Sequence, residues 1–511
     1  MIHESTPVLI GCGQTTDKRP PEEGSTAIEL MVEVARKAAA DAGPADALLN
    51  SIDALVALGL TVDAPEAASG ASGMVRNVPH AVSKALGINP KEQRYTRTGG
   101  NTPQMLVNSY AEQIAKGESS SVLIVGAEAL NTMLSRLKHG LDLDAWMDNS
   151  GSEPDMLGND RAAASDHEMQ YSIQTPSVSY PLFENALRAK YGLSLQAHQQ
   201  KLGELYHRFN AVAAENPLSW FPTARTAEEI STVSESNRYV GFPYTKYLNS
   251  VIQVNMGAAL IMTSVGKARE LGVAEDRMVY LHGCADANDI WNVSDRANYH
   301  SSPAIRMMGQ QAFSMSGKTI DDMDYFDIYS CFPSAVQIAC DELGLAHDDA
   351  RGLTLTGGLP YFGGPGNNYV THSIATMMDA LRAKPGKYGL LNANGWFITK
   401  HSLGIYSTEP VEGEWQRESP ASYQQAVLDV PHPAFTETPN GTAVVETYTV
   451  LHGRQGVERG LVVGLLEDGT RFIAETPDDS ETLHAMMQQE MIGVSGTVES
   501  ESEKNLFKPD L

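Results

Sequence analysis

The same order of apolar strands, glycine pairs and helices occurs twice in this chain. In the first part, an apolar strand at 52–56 precedes Gly99-Gly100, a helix and a second buried strand. In the second part, a strand at 323–328 precedes Gly363-Gly364, a helix and another apolar strand. Alternating strands and helices are typical of an α/β fold with a largely buried sheet. The repetition predicts a duplicated α/β unit, which constrains the fold more than any other feature.

The chain has 511 residues, which is too long for one hydrophobic core. We predict a first half over 1–265, which includes an inserted, partly helical loop domain at about 130–250. A second half covers 266–411. Glycine-separated strands then predict a small additional β domain over 412–511, a β-barrel of the oligonucleotide/oligosaccharide-binding kind. Its final stretch, VESESEKNLFKPDL, is predicted to be a solvated tail.

The formal net charge is −26, and almost half of it lies in residues 412–511. This charge argues against nucleic acid and against an anionic membrane surface as partners. The sequence shows neither a run of about 18 apolar residues nor a secretory signal. Its four cysteines are scattered and lack the spacing of metal ligands or of a disulfide framework. We therefore expect a cytoplasmic protein with reduced thiols, no membrane insertion and no bound metal.

Two adjacent segments carry a family resemblance. The segment from Val254 to Ser264, VNMGAALIMTS, is followed by KARELG at 267–272. This pair resembles the thiolase superfamily, and the chain as a whole looks like a thiolase of the sterol-carrier-protein type. The extra β domain makes it similar to a thiolase-like protein of type 1. The resemblance implies a duplicated thiolase fold, layered α-β-α-β-α, with an inserted helical loop domain and a C-terminal β-barrel.

The resemblance also implies a function. Members of this superfamily make or break carbon–carbon bonds beside a coenzyme A thioester, through a cysteine thiolate that becomes acylated. A second cysteine shuttles protons, and histidines and backbone N–H groups stabilise the charges. The resemblance therefore implies an acyl-CoA acyltransferase of lipid metabolism, similar to acetyl-CoA acetyltransferase. Coenzyme A or acyl-CoA would be its substrate, and no cofactor would be covalently bound.

The nucleophile of the family precedes a glycine pair, and here Thr96 stands at that position. A threonine hydroxyl has no thiolate fraction and needs its own base. Thr96 is therefore either a substitute for the nucleophile or, as we favour, a hydrogen-bonded turn residue. Gly99 and Gly100 follow it. They allow a sharp turn into a helix whose N–H groups favour an oxyanion.

A second family motif, His-Asp-Cys-Phe, corresponds to Tyr329-Ser330-Cys331-Phe332. The resemblance gives Cys331 the place of the acid/base thiol, and Tyr329 replaces the histidine. The alternative is that Cys331 is a small buried residue at a strand-to-helix turn, as free cysteines often are.

The Gly-His-Pro motif of the family corresponds to Gly363-Gly364-Pro365, so Gly364 replaces a histidine. Asn367 and Asn368 follow, and their amide groups are candidate hydrogen-bond donors for the pocket. His372 is either a catalytic replacement or a capping or surface residue at the start of a helix.

The last family loop, Cys-x-Gly-Gly, contains no cysteine here. Asn394 and Gly395 supply a turn with backbone donors. His401 follows, either in the pocket, where it would replace lost function, or exposed next to Lys400.

Three functions remain open after this comparison. The first is an acyltransferase or carbon–carbon bond enzyme with a rearranged site that uses Cys331 with His401 or His372. The second is a non-catalytic acyl-CoA-binding protein or partner subunit. The third is a CoA-thioester hydrolase.

The sequence constrains the binding partners of the protein less than it constrains the fold. In the family, the strand that leads to the nucleophile lies at a dimer contact, but here residues 92–97 are polar, so a homodimer or a different partner protein stays open. Coenzyme A would need a basic patch, for which the loop domain offers Arg188, Lys190, Lys201 and Arg208.

Overall fold

The computed structural model describes residues 2–64, 73–159, 161–500 and 504–511. Its strands are β1 Pro7–Thr16, β2 Ala54–Ala57, β3 Glu92–Thr96, β4 Ser121–Ala129, β5 Asp155–Leu157, β6 Tyr239–Gly241, β7 Tyr244–Thr245, β8 Asn255–Ser264, β9 Val279–Asn288, β10 Tyr325–Asp327, β11 Tyr388–Gly395, β12 Lys400–Ser407, β13 Gly441–Gly453, β14 Gly456–Leu466, β15 Arg471–Glu475, β16 Ser495–Ser500 and β17 Asn505–Pro509. Its α-helices are α1 Ala27–Ala42, α2 Ala45–Ser51, α3 Val78–Leu86, α4 Thr102–Ala115, α5 Leu130–Lys138, α6 Asp166–Gln170, α7 Pro176–Lys190, α8 Leu195–Glu215, α9 Ala227–Ser231, α10 Val265–Glu270, α11 Pro303–Ser316, α12 Pro333–Leu343, α13 Tyr369–Ala383, α14 Pro420–Leu428 and α15 Ser480–Gln488.

Two sets of strands form the core, in the order β10-β11-β12-β9 and β1-β8-β4-β2-β3-β5. Only two residue pairs join β9 to β1 at their junction. Helices α1 and α3 cover the outer face of the first half, and α11 and α12 cover that of the second. Helices α4 and α13 lie between the halves and contact strands of both. The predicted duplicated thiolase fold, layered α-β-α-β-α, is confirmed.

Local sequence signals account for several helix boundaries. Helix α1 begins with the predicted capping box, in which Thr26 and Glu29 bind each other's backbone N–H groups. Gly43 ends this helix with φ +105°. Of the helices in the described ranges, none is long and apolar enough to cross a membrane.

Strands β13 to β17 form the predicted C-terminal β-barrel. They pair in the order β14-β15-β17-β16-β13, and β13 also pairs with β14, which closes the barrel. The prediction of a solvated tail is wrong, because β16 and β17 are barrel strands. Val498 and Phe507 point into the barrel core and are fully buried, whereas Glu499, next to Val498 on β16, points outward and is exposed.

The barrel is attached to helix α7 of the loop domain by polar contacts. The guanidinium of Arg188 binds both carboxylate oxygens of Glu490 at 2.5 and 2.6 Å. Asn185 donates to the carbonyl of Tyr448 at 2.9 Å. Arg188 is only 2% exposed, so its charge depends on the barrel for a partner.

A buried polar network centres on Glu184 of the same helix. Its carboxyl group contacts His198 Nε2 of α8 at 2.6 Å and accepts hydrogen bonds from Tyr244 (2.6 Å) and Gln337 of α12 (2.8 Å). Glu184 is fully buried and His198 nearly so. The network therefore joins the loop domain to the second half.

Strand β5 covers the outer edge of β3. Arg94, Tyr95 and Thr96 pair with residues 155–157 of the same chain in parallel register. Arg94 also binds Asp155 at 2.6 Å. The strand edge expected at a dimer contact is therefore paired within the chain.

Replacing Glu184 with alanine should lower the free energy of unfolding by about 3 kcal/mol, because three buried donors lose their acceptor. Urea denaturation followed by fluorescence measures this change. The exposed Glu215 on α8 is a matched control, and Glu215→Ala should cost under about 0.5 kcal/mol. Equal effects of the two substitutions would contradict the role of the network.

We expect the protein to be monomeric at micromolar concentration, because β5 already occupies the edge of β3. Sedimentation velocity over a hundredfold range of concentration measures this. A dimer that persists at the lowest concentration would show that another surface mediates association.

Candidate functional site

Close backbone packing at the start of α4 defines the site. A Cβ on Gly100 would lie 2.2 Å from the Tyr329 hydroxyl and 2.5 Å from the Asn394 carbonyl oxygen. A Cβ on Gly395 would lie 2.5 Å from Asn101 Oδ1. The start of α4 can therefore meet the β11–β12 turn only because these positions are glycine. The predicted residues Gly99, Gly100, Asn394 and Gly395 lie together here.

Thr96 lies at the end of β3 and is 2% exposed. Its Oγ1 accepts a hydrogen bond from the Gly59 N–H at 2.9 Å. In the described ranges, no histidine or carboxylate accepts a hydrogen bond from this hydroxyl. The geometry thus favours the turn-holding role, and a nucleophilic role for Thr96 stays a prediction.

Asn367 connects two backbone segments. Its Nδ2 donates to the Gly59 carbonyl at 2.6 Å, and its Oδ1 accepts from the Gly99 N–H at 2.7 Å. Asn368 donates to the Gly126 carbonyl at 2.7 Å. These amide donors, predicted to line the pocket, are thus engaged by the main chain.

Gly364, at the lost histidine position, lies beside the loop that precedes β8. Its N–H donates to the Val251 carbonyl at 2.8 Å. A Cβ at this position would meet that same oxygen at 3.1 Å. The backbone of Gly364 therefore has a partner, and its position leaves little room for a larger side chain.

Cys331 is partly exposed and follows Tyr329 at the carboxyl end of β10. Asn394 Nδ2 lies 3.8 Å from its sulfur and 2.9 Å from the hydroxyl of Tyr180. Burial raises the pKa of the Cys331 thiol to about 12, although hydrogen bonds from Tyr180 and Asn394 oppose this rise. The thiol is therefore protonated at neutral pH, unlike a thiolate nucleophile.

Tyr329 presents its hydroxyl to the first turn of α4, and burial raises the pKa of this phenol. Among the described residues, none forms a hydrogen bond with that hydroxyl. The same holds for the backbone N–H of Gly100 at the helix N-terminus. A phenol O–H and a helix N–H next to each other resemble the donor pair of an oxyanion site.

His372 is fully buried on α13, away from this group. Its Nδ1 contacts Gln14 Oε1 of β1 at 2.9 Å, and the ring packs edge-on against Phe362. Burial lowers the pKa of His372 to about 3. It is therefore a neutral core residue rather than a surface or capping residue.

His401 faces the opposite side of the sheet from α4. On either side of it along β12, Lys400 donates to the Thr98 carbonyl at 2.5 Å and Ser402 Oγ lies 3.4 Å from Asn101 Nδ2. Strand side chains alternate, so the imidazole points the other way, 3.4 Å from Asp289. His401 is buried rather than exposed to solvent. It is the β12 partner of Asn394, the residue whose amide contacts Cys331, but no hydrogen bond joins His401 to Cys331 among the described residues.

Arg296 donates hydrogen bonds to the β11–β12 turn. Trp396 and Ile398 adopt left-handed conformations, with φ 56° and 55°. The guanidinium donates to the Ile398 carbonyl at 2.8 Å and to Thr399 Oγ1 at 2.9 Å. These contacts stabilise a strained turn next to the site.

Sequence reasoning missed Tyr180 and Arg296. Tyr180 is on α7 and donates to the Trp396 carbonyl at 2.7 Å, which fixes the phenol beside Asn394. Neither residue belongs to a motif, so no local signal could have found them.

The basic residues proposed for coenzyme A do not converge. Arg188 binds Glu490, Lys190 binds Asp341 at 2.9 Å, and Arg208 contacts the Asp349 carbonyl. Lys201 is exposed on α8. Three of the four residues are therefore engaged within the chain, and a coenzyme A site among them stays a prediction. Lys400 lies much nearer, since a Cβ on Gly99 would be 2.5 Å from its Nζ.

Cys12 lies in an ionic cluster that its sequence spacing does not reveal. Ligand atoms of Cys12, Asp41 and Asp379 lie within 4.8 Å of one another. Arg382 binds Asp41 at 2.7 Å, and Arg277 binds its other oxygen. Burial raises the pKa of the Cys12 thiol to about 12. Two guanidinium groups thus already neutralise this cluster.

Cys331 should react with iodoacetamide at least ~100-fold more slowly than a free thiol at pH 8, because its raised pKa leaves little thiolate. The rate should still rise between about pH 10 and 11, where an ordinary thiol levels off. Peptide mass spectrometry separates Cys331 from the other cysteines, and labelling in guanidinium chloride is the control. Fast native labelling near pH 7 would contradict this site description.

Two comparisons identify relatives of this chain. A family model described as the thiolase-like protein type 1 additional C-terminal domain matches residues 422–503. The crystal structure of a monomeric SCP2-thiolase-like protein type 1 from Mycobacterium smegmatis is 36% identical, covers 99% of both chains and has a TM-score of 0.84. No curated protein matches the sequence.

More distant structures share the fold. The dimeric peroxisomal thiolase of Saccharomyces cerevisiae is 13% identical and covers 80% of this chain and 99% of its own, with a TM-score of 0.54. The Ltp2-ChsH2(DUF35) aldolase is 19% identical and covers 79% of this chain and 98% of its own, with a TM-score of 0.57. The full-length similarity to the mycobacterial protein decides the family: the chain belongs to the SCP2-thiolase-like proteins of type 1.

Proposed function

We propose that this protein binds a coenzyme A thioester at the start of α4 without forming an acyl-enzyme. The observation that carries the proposal is the pair of unused donors, the Gly100 N–H and the Tyr329 hydroxyl. A thioester carbonyl is an acceptor of the kind that such a pair binds. Gly100, Cys331 and Trp396 are partly exposed, whereas Tyr329 is only 7% exposed, so the site opens to solvent on the Gly100 side.

The substrate class comes from the thiolase fold. A structural neighbour is described as acetyl-CoA acetyltransferase from Syntrophomonas wolfei and is 15% identical with a TM-score of 0.54. At this identity the likeness concerns the fold alone, so the thioester is part of the proposal. Lys400, beside Gly99, offers positive charge near the entrance for the phosphates of the ligand.

The chemistry of the side chains favours binding over acyl transfer. Covalent catalysis needs a nucleophile with a base or a lowered pKa. Thr96 is engaged by Gly59 N–H, and the Cys331 thiol has a raised pKa. His372 and His401 are buried, and among the described residues neither forms a hydrogen bond with Thr96 or Cys331. The acyltransferase and thioester hydrolase functions therefore stay predictions that the experiment below distinguishes from binding.

Titration calorimetry with acetyl-CoA and with free CoA tests the proposal. Both ligands should bind the wild-type protein. Tyr329→Phe should weaken acetyl-CoA about fivefold and leave free CoA unchanged, because it removes one hydrogen bond to the thioester carbonyl. Tyr299→Phe is the matched control, since Tyr299 is buried elsewhere and its hydroxyl has no partner in the described structure.

Intact mass spectrometry and a thiolysis assay with acetoacetyl-CoA complete the test. We expect no covalent acetyl group and no thiolysis. Acetylation of Cys331 or Thr96 would establish acyl transfer instead, and release of free CoA without carbon–carbon cleavage would establish hydrolysis. Absence of binding to either ligand would overturn the proposal.

A further inference from the structure

A cavity lies on the outer face of the first half, between α1, α3 and α5. It opens at the carboxyl ends of β2 and β4 and has a volume of about 460 Å³. Small-molecule sites usually measure ~300–1,000 Å³. Its apolar lining includes Leu60, Val62, Val75, Leu130, Met133 and Trp146. The pocket is therefore large and apolar enough for a small ligand, and its lining residues are different from those of the site at α4.

The charged residues of this pocket are mostly acidic. Glu29, Asp63, Glu128 and Asp148 line it, against one lysine, Lys84. Three of these acids already bind nearby donors: Glu29 the Thr26 N–H, Asp63 the Tyr95 hydroxyl, and Asp148 the Ser150 N–H. An anionic ligand would be repelled by this lining.

Glu128 is the buried acid of the set, only 2% exposed. One oxygen, Oε1, accepts hydrogen bonds from the N–H and the hydroxyl of Thr61, both at 2.7 Å. The other oxygen accepts none from the part of the chain that the structure describes. Burial raises the pKa of this carboxyl to about 7, against the effect of the Thr61 hydrogen bonds. A buried carboxylate with an unused oxygen needs a donor.

The position of Glu128 in the sequence is equally unusual. It is the one charged residue of β4, whose sequence SVLIVGAEA is otherwise apolar or small. No lysine or arginine pairs with it among the described residues. A buried acid that lines a cleft and has no cationic partner is a candidate functional residue.

We infer that this pocket binds an aliphatic molecule with a hydrogen-bond-donating head group, an amine or an alcohol, whose head contacts Glu128. The carbon chain would replace water against the apolar lining. The head group would donate to the unused carboxylate oxygen. This inference does not depend on the proposed thioester site, because none of the residues that line the pocket belongs to that site.

Binding of n-decylamine, n-decanol and n-decanoate to the full chain at about pH 8 tests the inference. Trp146 lines the pocket, so its fluorescence should change as the ligand enters. We expect decylamine to bind most tightly, decanol next and decanoate least. Trp146→Phe should remove the fluorescence change but leave the calorimetric signal.

Three variants assign the interactions. Glu128→Gln should weaken decylamine at least about tenfold, because it removes the negative charge and leaves amide hydrogens facing the head group. Glu29→Gln, at the exposed rim of the same pocket, is the matched control and should change the affinity less than about twofold. Ala81→Phe should fill the cavity and weaken all three ligands. Circular dichroism and thermal melting verify that each variant is folded.

Three outcomes would overturn the inference: no binding of decylamine or decanol to the folded wild type, tighter binding of decanoate, or affinities that Glu128→Gln does not change. Acetyl-CoA should not compete with decylamine. Competition would place both ligands in one site and would also overturn a separate pocket. Failure of thioester binding alone would leave this inference intact.

Discussion

The close approach of the α4 N-terminus to the β11–β12 turn is the contact on which the site depends. Side-chain atoms are absent at Gly99, Gly100 and Gly395, so Tyr329, Asn394 and Lys400 come within contact distance of the backbone. A methyl group at Gly100 would require displacement of a backbone carbonyl as well as a phenol. The main chain therefore determines how the α4 N-terminus and the β11–β12 turn meet, and we call this contact the cradle. The side chains around the cradle can vary without loss of that contact.

Because main-chain packing builds the site, the chain keeps the family fold although its active-site side chains differ from those of the family motifs. Gly99, Gly100 and Gly395 remain at glycine positions of the family motifs, and they let the backbone segments of the site pack closely. The groups that would supply a thiolate or a mobile proton are replaced or are buried elsewhere. Cys331 is protonated, and His372 packs as a neutral ring against Phe362. What remains is a polar cradle suited to an acceptor atom, without a strong base beside it.

Much of the architecture follows from local sequence signals. The capping box at Thr26 and the apolar strands were predictable because their determinants lie within a few residues. The meeting of Gly100 with Asn394 was predictable only through family resemblance, since nearly three hundred residues separate them. The orientation of His401 could not be predicted because side chains alternate along β12. A shift of one residue in the strand register would turn the imidazole to the other face of the sheet. The last strands were misjudged because charged, exposed neighbours such as Glu499 and Lys508 make the segment look polar, although Val498 and Phe507 are buried.

The attachment of the barrel to α7 has a consequence for how the chain can change. Arg188 is buried and satisfied by Glu490, and Asn185 donates to a barrel carbonyl. Removal of the barrel would leave the buried Arg188 cation without its carboxylate partner and would take from the Asn185 amide one of its two acceptors. The C-terminal domain is thus integral to the fold rather than an interchangeable module. A ligand that loosened the barrel would also displace α7. Since Tyr180 of α7 binds the Trp396 carbonyl, this displacement would reach the β11–β12 turn of the site.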